Sequence, residues 1–211
     1  YCLGDTVGYG GFPSDCISLV REKVNVVLQG NHDYAVATLD DDPVEALCTY
    51  NGPAAYACMK HAELLSKAEK EYLASLRTDI AFGVLNLGLA HGNFSSPLSW
   101  RYIMTRSEAE SYPEVSTCVD DEYRYCPTVV GAIGHTHKPL IYGARDGLLK
   151  YPCTQNPVEL CLEEQKFIVN VGSVGQPRDG DPRACWTLWE FHKNRTIVEF
   201  RRVAYNIDVN A

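Results

Sequence analysis

Short apolar runs, each closed by a glycine-bearing polar cluster, constrain this chain more than any other feature. Tyr1-Cys2-Leu3 runs into Gly4-Asp5, and Val24 to Gln29 runs into Gly30-Asn31-His32-Asp33. Val84 to Ala90 is followed by His91-Gly92-Asn93, Val129 to Ile133 by Gly134-His135-Thr136-His137, and Phe167 to Val171 by Gly172. Runs of this length, rich in branched residues and bounded by turn residues, read as buried strands. Between the first two, Ser14 to Lys23 reads as a helix, with Ser14 as N-cap and an apolar face at 16, 17, 19 and 20. Strand, helix and strand within about thirty residues predict a parallel βαβ unit, and with it an α/β fold.

The rest of the chain fits that class. Residues 53–76 read as two helices, with Leu64, Leu65, Leu73 and Leu76 as the apolar stripe. Thr78 to Phe82 and Val84 to His91 read as a hairpin around Gly83. Residues 93–127 are polar, aromatic and irregular, with a short helix near Ser107 to Ser111, and read as a lid or loop insertion. Ala184 to Glu190 and Thr196 to Val203 read as antiparallel strands around a His192-Lys193-Asn194 turn. No repeat or linker divides the 211 residues, so a single domain over 1–211 is expected. A net charge of −8 argues against strong non-specific nucleic-acid binding. Nine scattered cysteines, an odd number without a CxxC pair, predict reduced thiols and a cytoplasmic location. No apolar run reaches the ~18 residues of a membrane span.

The polar clusters carry the chemistry. Ligands of open α/β sheets bind just beyond the carboxyl ends of strands, and four of the six histidines fall at such ends. Together the clusters offer imidazoles, carboxylates and an amide oxygen, the donors that hold divalent transition metals with water. Neighbouring glycines let backbone approach closely. His135 and His137 stand two apart, a spacing that on an extended or turning segment reaches two neighbouring ions.

In this order, Gly4-Asp5-Thr6-Val7-Gly8-Tyr9-Gly10, Gly30-Asn31-His32-Asp33, His91-Gly92-Asn93 and Gly134-His135-Thr136-His137 resemble the calcineurin-like metallophosphoesterase superfamily. The likeness is to its small single-domain bacterial and archaeal phosphodiesterases. Asn170 to Ala184 resembles their C-terminal signature, with Val171 where proline is usual. The resemblance implies a four-layer α-β-β-α sandwich of two mixed sheets flanked by helices. It implies two divalent metals, drawn from Mn, Fe, Co, Ni or Zn. Asp5 would bridge them, Asn31, His91 and His135 would complete one shell, and His137 would belong to the other. His32 would face the substrate, stabilise the phosphoryl transition state and help protonate the leaving oxygen.

The implied reaction is phosphodiester hydrolysis by a metal-activated hydroxide, on a phosphate ester with nucleotides among the candidates. Two alternatives stand beside it: a protein-interaction scaffold that retains the fold, and a phosphoprotein phosphatase. The family also begins on a strand ending in Asp-x-His, which these 211 residues lack. That segment is expected roughly 25–40 residues upstream of Asp5, one βα unit earlier. Arg178 is a candidate phosphate contact, and Arg101 and Arg106 fall in the lid. Asp33 is expected to cap the following turn or else to orient His32, His61 and His192 to be surface or packing residues, and Trp186 and Trp189 to be strand core.

Overall fold

The computed structural model describes residues 1–94, 100, 130–143 and 156–207, and the backbone alone of 118–120, 123–126 and 147–150. The protein is α/β, as expected, with two compact units: Tyr1–Thr78 with the C-terminal end, and Asp79–Tyr205.

The first unit carries five helices among the described residues: α1 (Pro13–Lys23), α2 (Asn31–Thr38), α3 (Pro43–Leu47), α4 (Gly52–Leu64) and α5 (Lys67–Ala74). Helix α1 is the helix expected from Ser14, but its N-cap is Phe12 and Pro13 takes the first helical position. Proline suits that position because its φ is preset and its missing N–H has no helical partner there. Ile17 is buried, whereas Cys16 and Leu19 of the expected apolar face are exposed. Helices α4 and α5 are the expected pair. They break at Ser66, whose N–H donates to Glu69 Oε2 at 2.8 Å while Glu69 N–H donates back to Ser66 Oγ at 3.4 Å. Leu65 and Leu73 enter the core, but Leu64, ending α4, is 62% exposed. The expected parallel strands contract to one parallel bridge, Cys2 with Val27, and a second parallel bridge joins Leu28 to Arg77. Val7, Ile17, Val36, Cys58, Leu65 and Leu73 form the core of this unit.

The second unit carries β1 (Asp79–Phe82), β2 (Leu87–Ala90), β3 (Cys118–Asp120), β4 (Tyr123–Cys126), β5 (Val130–Ile133), β6 (Leu140–Gly143), β7 (Gly147–Lys150), β8 (Val158–Cys161), β9 (Phe167–Asn170), β10 (Ala184–Phe191) and β11 (Arg195–Val203). A six-stranded sheet runs β1-β2-β5-β9-β6-β7, and a three-stranded sheet runs β10-β11-β8. β2, β5 and β9 are parallel neighbours, while the remaining pairs are antiparallel. Side chains alternate across a strand, and the two faces divide accordingly. Val130, Ile141, Phe167 and Val169 meet Val158, Leu160, Cys185, Val198 and Phe200 of the smaller sheet. Ile133, Leu140, Tyr142 and Ile168 form a second cluster with Ala90 and Phe94.

The expected hairpin forms, with Asp79 opposite Ala90, but Gly83–Leu85 is a 3-10 turn and leaves Val84 98% exposed. The expected C-terminal strands pair from Ala184–Val203 to Phe191–Thr196. Trp186 departs from its expected core role: it is 37% exposed, with the Arg201 guanidinium 5.3 Å from its ring centroid. Trp189 packs against the core. Ser107 to Ser111, Arg101 and Arg106 lie outside the described residues. Within 93–127, expected to be irregular, β3 and β4 pair antiparallel. Among the described residues no helix is long and apolar enough to cross a membrane.

Candidate functional site

The candidate residues fall on both units: Asp5, Asn31 and His32 on the first, His91, His135, His137 and Arg178 on the second. In the first unit, Asp5 sits at φ +56, a left-handed conformation that costs a non-glycine residue about 1–2 kcal/mol. Its surroundings hold it there. Asp5 Oδ1 accepts from His32 N–H at 2.9 Å, and a Cβ built on Gly30 would stand 2.2 Å from that same oxygen. Gly30 is therefore required by close approach rather than by its own backbone angles. Asp33 is fully buried and caps α2, as expected. Its Oδ2 accepts from Gly30 N–H at 2.9 Å and its Oδ1 from Val7 N–H at 3.1 Å, which ties the Asp5 loop to the helix.

Asn31 donates from Nδ2 to the Tyr50 hydroxyl at 2.9 Å, and that hydroxyl donates to the Asn31 carbonyl at 2.6 Å. The contact fixes which end of the amide is nitrogen. Burial pushes the Tyr50 phenol well above its ordinary range, so it remains protonated. The His32 ring is buried between Tyr9, 4.7 Å away, and Tyr50, 5.2 Å away edge-on. Its Nδ1 lies 3.3 Å from Cys58 Sγ on α4. His61, expected at the surface or in packing, is 3% exposed and staples the glycine-rich loop. Gly8 N–H donates to His61 Nδ1 at 2.8 Å, so Nε2 carries the proton and donates to Gly10 O at 2.9 Å.

In the second unit, His91 follows β2, and His135 and His137 follow β5. All three are buried. His91 Nε2 and His135 Nδ1 are 3.0 Å apart. Nitrogens at that separation share either a proton or an ion. Two imidazoles on one divalent ion, with metal–nitrogen bonds of ~2.0–2.1 Å, would hold their nitrogens about 3–3.4 Å apart. His135 Nε2 donates to Trp100 O at 2.8 Å, which leaves Nδ1 as its lone-pair nitrogen. His137 Nδ1 donates to Gln176 O at 2.7 Å, which leaves Nε2. A backbone carbonyl behind an imidazole is the usual way a metal-ligating histidine is oriented. The donors therefore fit a divalent ion in type and in tautomer.

His135 and His137 adopt φ +63 and +60. Asn170, fully buried at the end of β9, clamps their turn. Its Nδ2 donates to Gly134 O at 2.5 Å and to Thr136 Oγ1 at 2.9 Å, and its Oδ1 accepts from Gly172 N–H at 3.0 Å. Arg178 is exposed, its Nη2 donates to Gln176 Oε1 at 2.7 Å, and its backbone N–H donates to His137 O. Sequence reasoning missed Cys58, His61, Tyr50 and Asn170 as supports. Only Asn170 carried a signal, since it opens the C-terminal motif.

No protein-family model matches the chain. An uncharacterized protein of Methanocaldococcus jannaschii is 30% identical over 209 residues, covering 98% of this chain and 76% of its own length. A metallophosphoesterase from Sphaerobacter thermophilus, of known crystal structure, is 31% identical with a TM-score of 0.72; the match covers 99% of this chain and 78% of that one. A hypothetical protein from Pyrococcus horikoshii OT3 is 18% identical with a TM-score of 0.64, over 98% of this chain and 75% of that one, a likeness of fold alone.

Proposed function

Since the chain belongs to the calcineurin-like metallophosphoesterases, we propose that this metal-dependent phosphoesterase hydrolyses phosphodiesters, nucleotides among them, at a pair of divalent metals. Asp5, Asn31, His91, His135 and His137 would hold the metals, with Asp5 shared. The observation that carries the reading is the buried His91–His135 pair at 3.0 Å, backed by the tautomers that Trp100 and Gln176 impose. Backbone strain points the same way: Asp5, His135 and His137 all sit at positive φ, and such strain gathers at functional sites. When bound, the metals supply positive charge that lowers the pKa of water and neutralises phosphate oxygens.

The chain's own residues do the rest. Asn31 presents an amide oriented by Tyr50. His135 offers Nδ1, His91 Nε2 and His137 Nε2. His32, its ring set against a thiol and two phenol rings, supports the departing oxygen through its ring N–H. Arg178 is proposed to meet the substrate phosphate, with its guanidinium turned by Gln176. A cytoplasmic location is proposed as well; the six described cysteines are all free thiols, which suits a reducing compartment.

The test is hydrolysis of bis(p-nitrophenyl) phosphate by the full chain with added manganese. Turnover should vanish on chelation and return with metal. His32→Ala should lower kcat by roughly 100-fold or more while bound metal is unchanged. Turnover that survives complete metal removal would overturn the proposal.

A further inference from the structure

Helix α4 presents Cys58 and His61 three residues apart, hence on one face. Both are buried. Cys58 reaches His32 Nδ1 at 3.3 Å. His61 holds the backbone of Gly8 and Gly10. Gly8 in turn lies against the His32 ring: a Cβ at Gly8 would fall 2.3 Å from His32 Nδ1 and 2.6 Å from Cγ. The imidazole is thus enclosed by Gly8, Tyr9, Tyr50 and Cys58.

We propose that Cys58 is a positioning residue that sets the tautomer of His32, its thiol donating to Nδ1 so that the ring carries its proton on Nε2. A thiol has one proton to give and a weak acceptor sulfur, so against an imidazole nitrogen its S–H is the natural donor. Burial, followed by the negative charges of Asp5 and Asp33, pushes the Cys58 thiol up to about 12, so it keeps that proton through the neutral range. A carboxylate in this place would accept from Nδ1–H and stabilise an imidazolium; a thiol cannot. A thiol donating to Nδ1 leaves the ring's own proton on Nε2. The kinetic part of this inference rests on the phosphoesterase reading, in which the His32 Nε2–H hydrogen-bonds the leaving oxygen as it departs; the tautomer itself does not.

The experiment compares wild type, Cys58→Ala and Cys58→Ser as full chains. Long-range proton–nitrogen correlation on histidine-labelled protein, with diamagnetic zinc as the added metal, reports which His32 nitrogen is protonated. Turnover of bis(p-nitrophenyl) phosphate with manganese reports kcat and KM separately. Wild type should show Nε2–H. Cys58→Ala should show a mixture of tautomers and lose about tenfold in kcat, the worth of one neutral hydrogen bond, with KM and metal content unchanged. Cys58→Ser, which restores a donor, should recover Nε2–H and most of kcat. An Nδ1–H ring in wild type overturns the proposal, even if neither variant folds. So does a Cys58→Ala protein with an unchanged His32 tautomer. Absence of turnover in wild type with the expected tautomers would instead overturn the phosphoesterase reading and leave the Cys58 contact standing.

Discussion

Replacing Asn170 by alanine removes three hydrogen bonds from a fully buried side chain. Their losses are unequal. Gly134 O keeps the Thr136 N–H at 2.7 Å, and Thr136 Oγ1 keeps the Lys138 N–H at 3.2 Å. Gly172 N–H, buried, loses the acceptor described for it. Two substituted bonds at about 1 kcal/mol each and one orphaned donor at about 1–3 kcal/mol sum to roughly 3–5 kcal/mol. Against this, the turn can relax: His135 and His137 at φ +63 and +60 hold about 1–2 kcal/mol of strain apiece. The net loss of stability is then only about 1 kcal/mol, or roughly 2–4 °C in Tm for a chain of this size. The larger effect falls on the ligands, because the relaxed turn no longer aims the two imidazoles. Loss of such a supporting contact typically lowers metal affinity about 10–100-fold. Thermal melts followed by circular dichroism and calorimetric titration with zinc separate the two effects. Asn170→Asp, which keeps the acceptor for Gly172 but not the donors, should fall between. An Asn170→Ala protein with wild-type zinc affinity would show that the clamp does not govern the ligands.

Two further predictions follow from close contacts on the first unit. Gly30→Ala would place a Cβ 2.2 Å from Asp5 Oδ1 and 2.3 Å from Asp5 N; the backbone atom cannot swing away, so stability should fall by about 1–3 kcal/mol and bound metal should be lost, measured by melts and elemental analysis, and a wild-type Tm and metal content would contradict it. The Ser66 hydroxyl, and then the Ser66 backbone N–H, hold the Glu69 carboxylate below its usual range; a depressed carboxylate stabilises above its unfolded pKa and loses that contribution as pH falls, so the Tm gap between wild type and Glu69→Gln should be present at pH 7 and close below about pH 4, whereas a gap that widens in acid would refute the assignment.

What the sequence displayed and what it hid differ for a physical reason. Metal donors are legible because their chemistry is in the residue type: His91, His135 and His137 each follow a strand-like run, and β2 and β5 do end at Ala90 and Ile133. The helix after Gly30 was not legible, because its start is fixed by Asp33 reaching back to Gly30 N–H, a contact that a strand-end cluster conceals. Supports are harder still. Cys58 read as one scattered thiol among nine and His61 as an ordinary helix residue; each acquires its role only from what folding sets opposite it, His32 Nδ1 in one case and the amides of a glycine loop in the other. Asn170 read as the end of a strand, and its clamp exists only because β9 lies beside β5 and so beside the turn that follows it. The local rules fail most informatively at Asp5, His135 and His137, where positive φ would favour glycine. A chain selected for stability alone has reason to put glycine at such positions. Imidazoles and a carboxylate there, each braced by buried partners, mean that the side chain's chemistry outweighed the conformational cost, the conflict expected at a functional site.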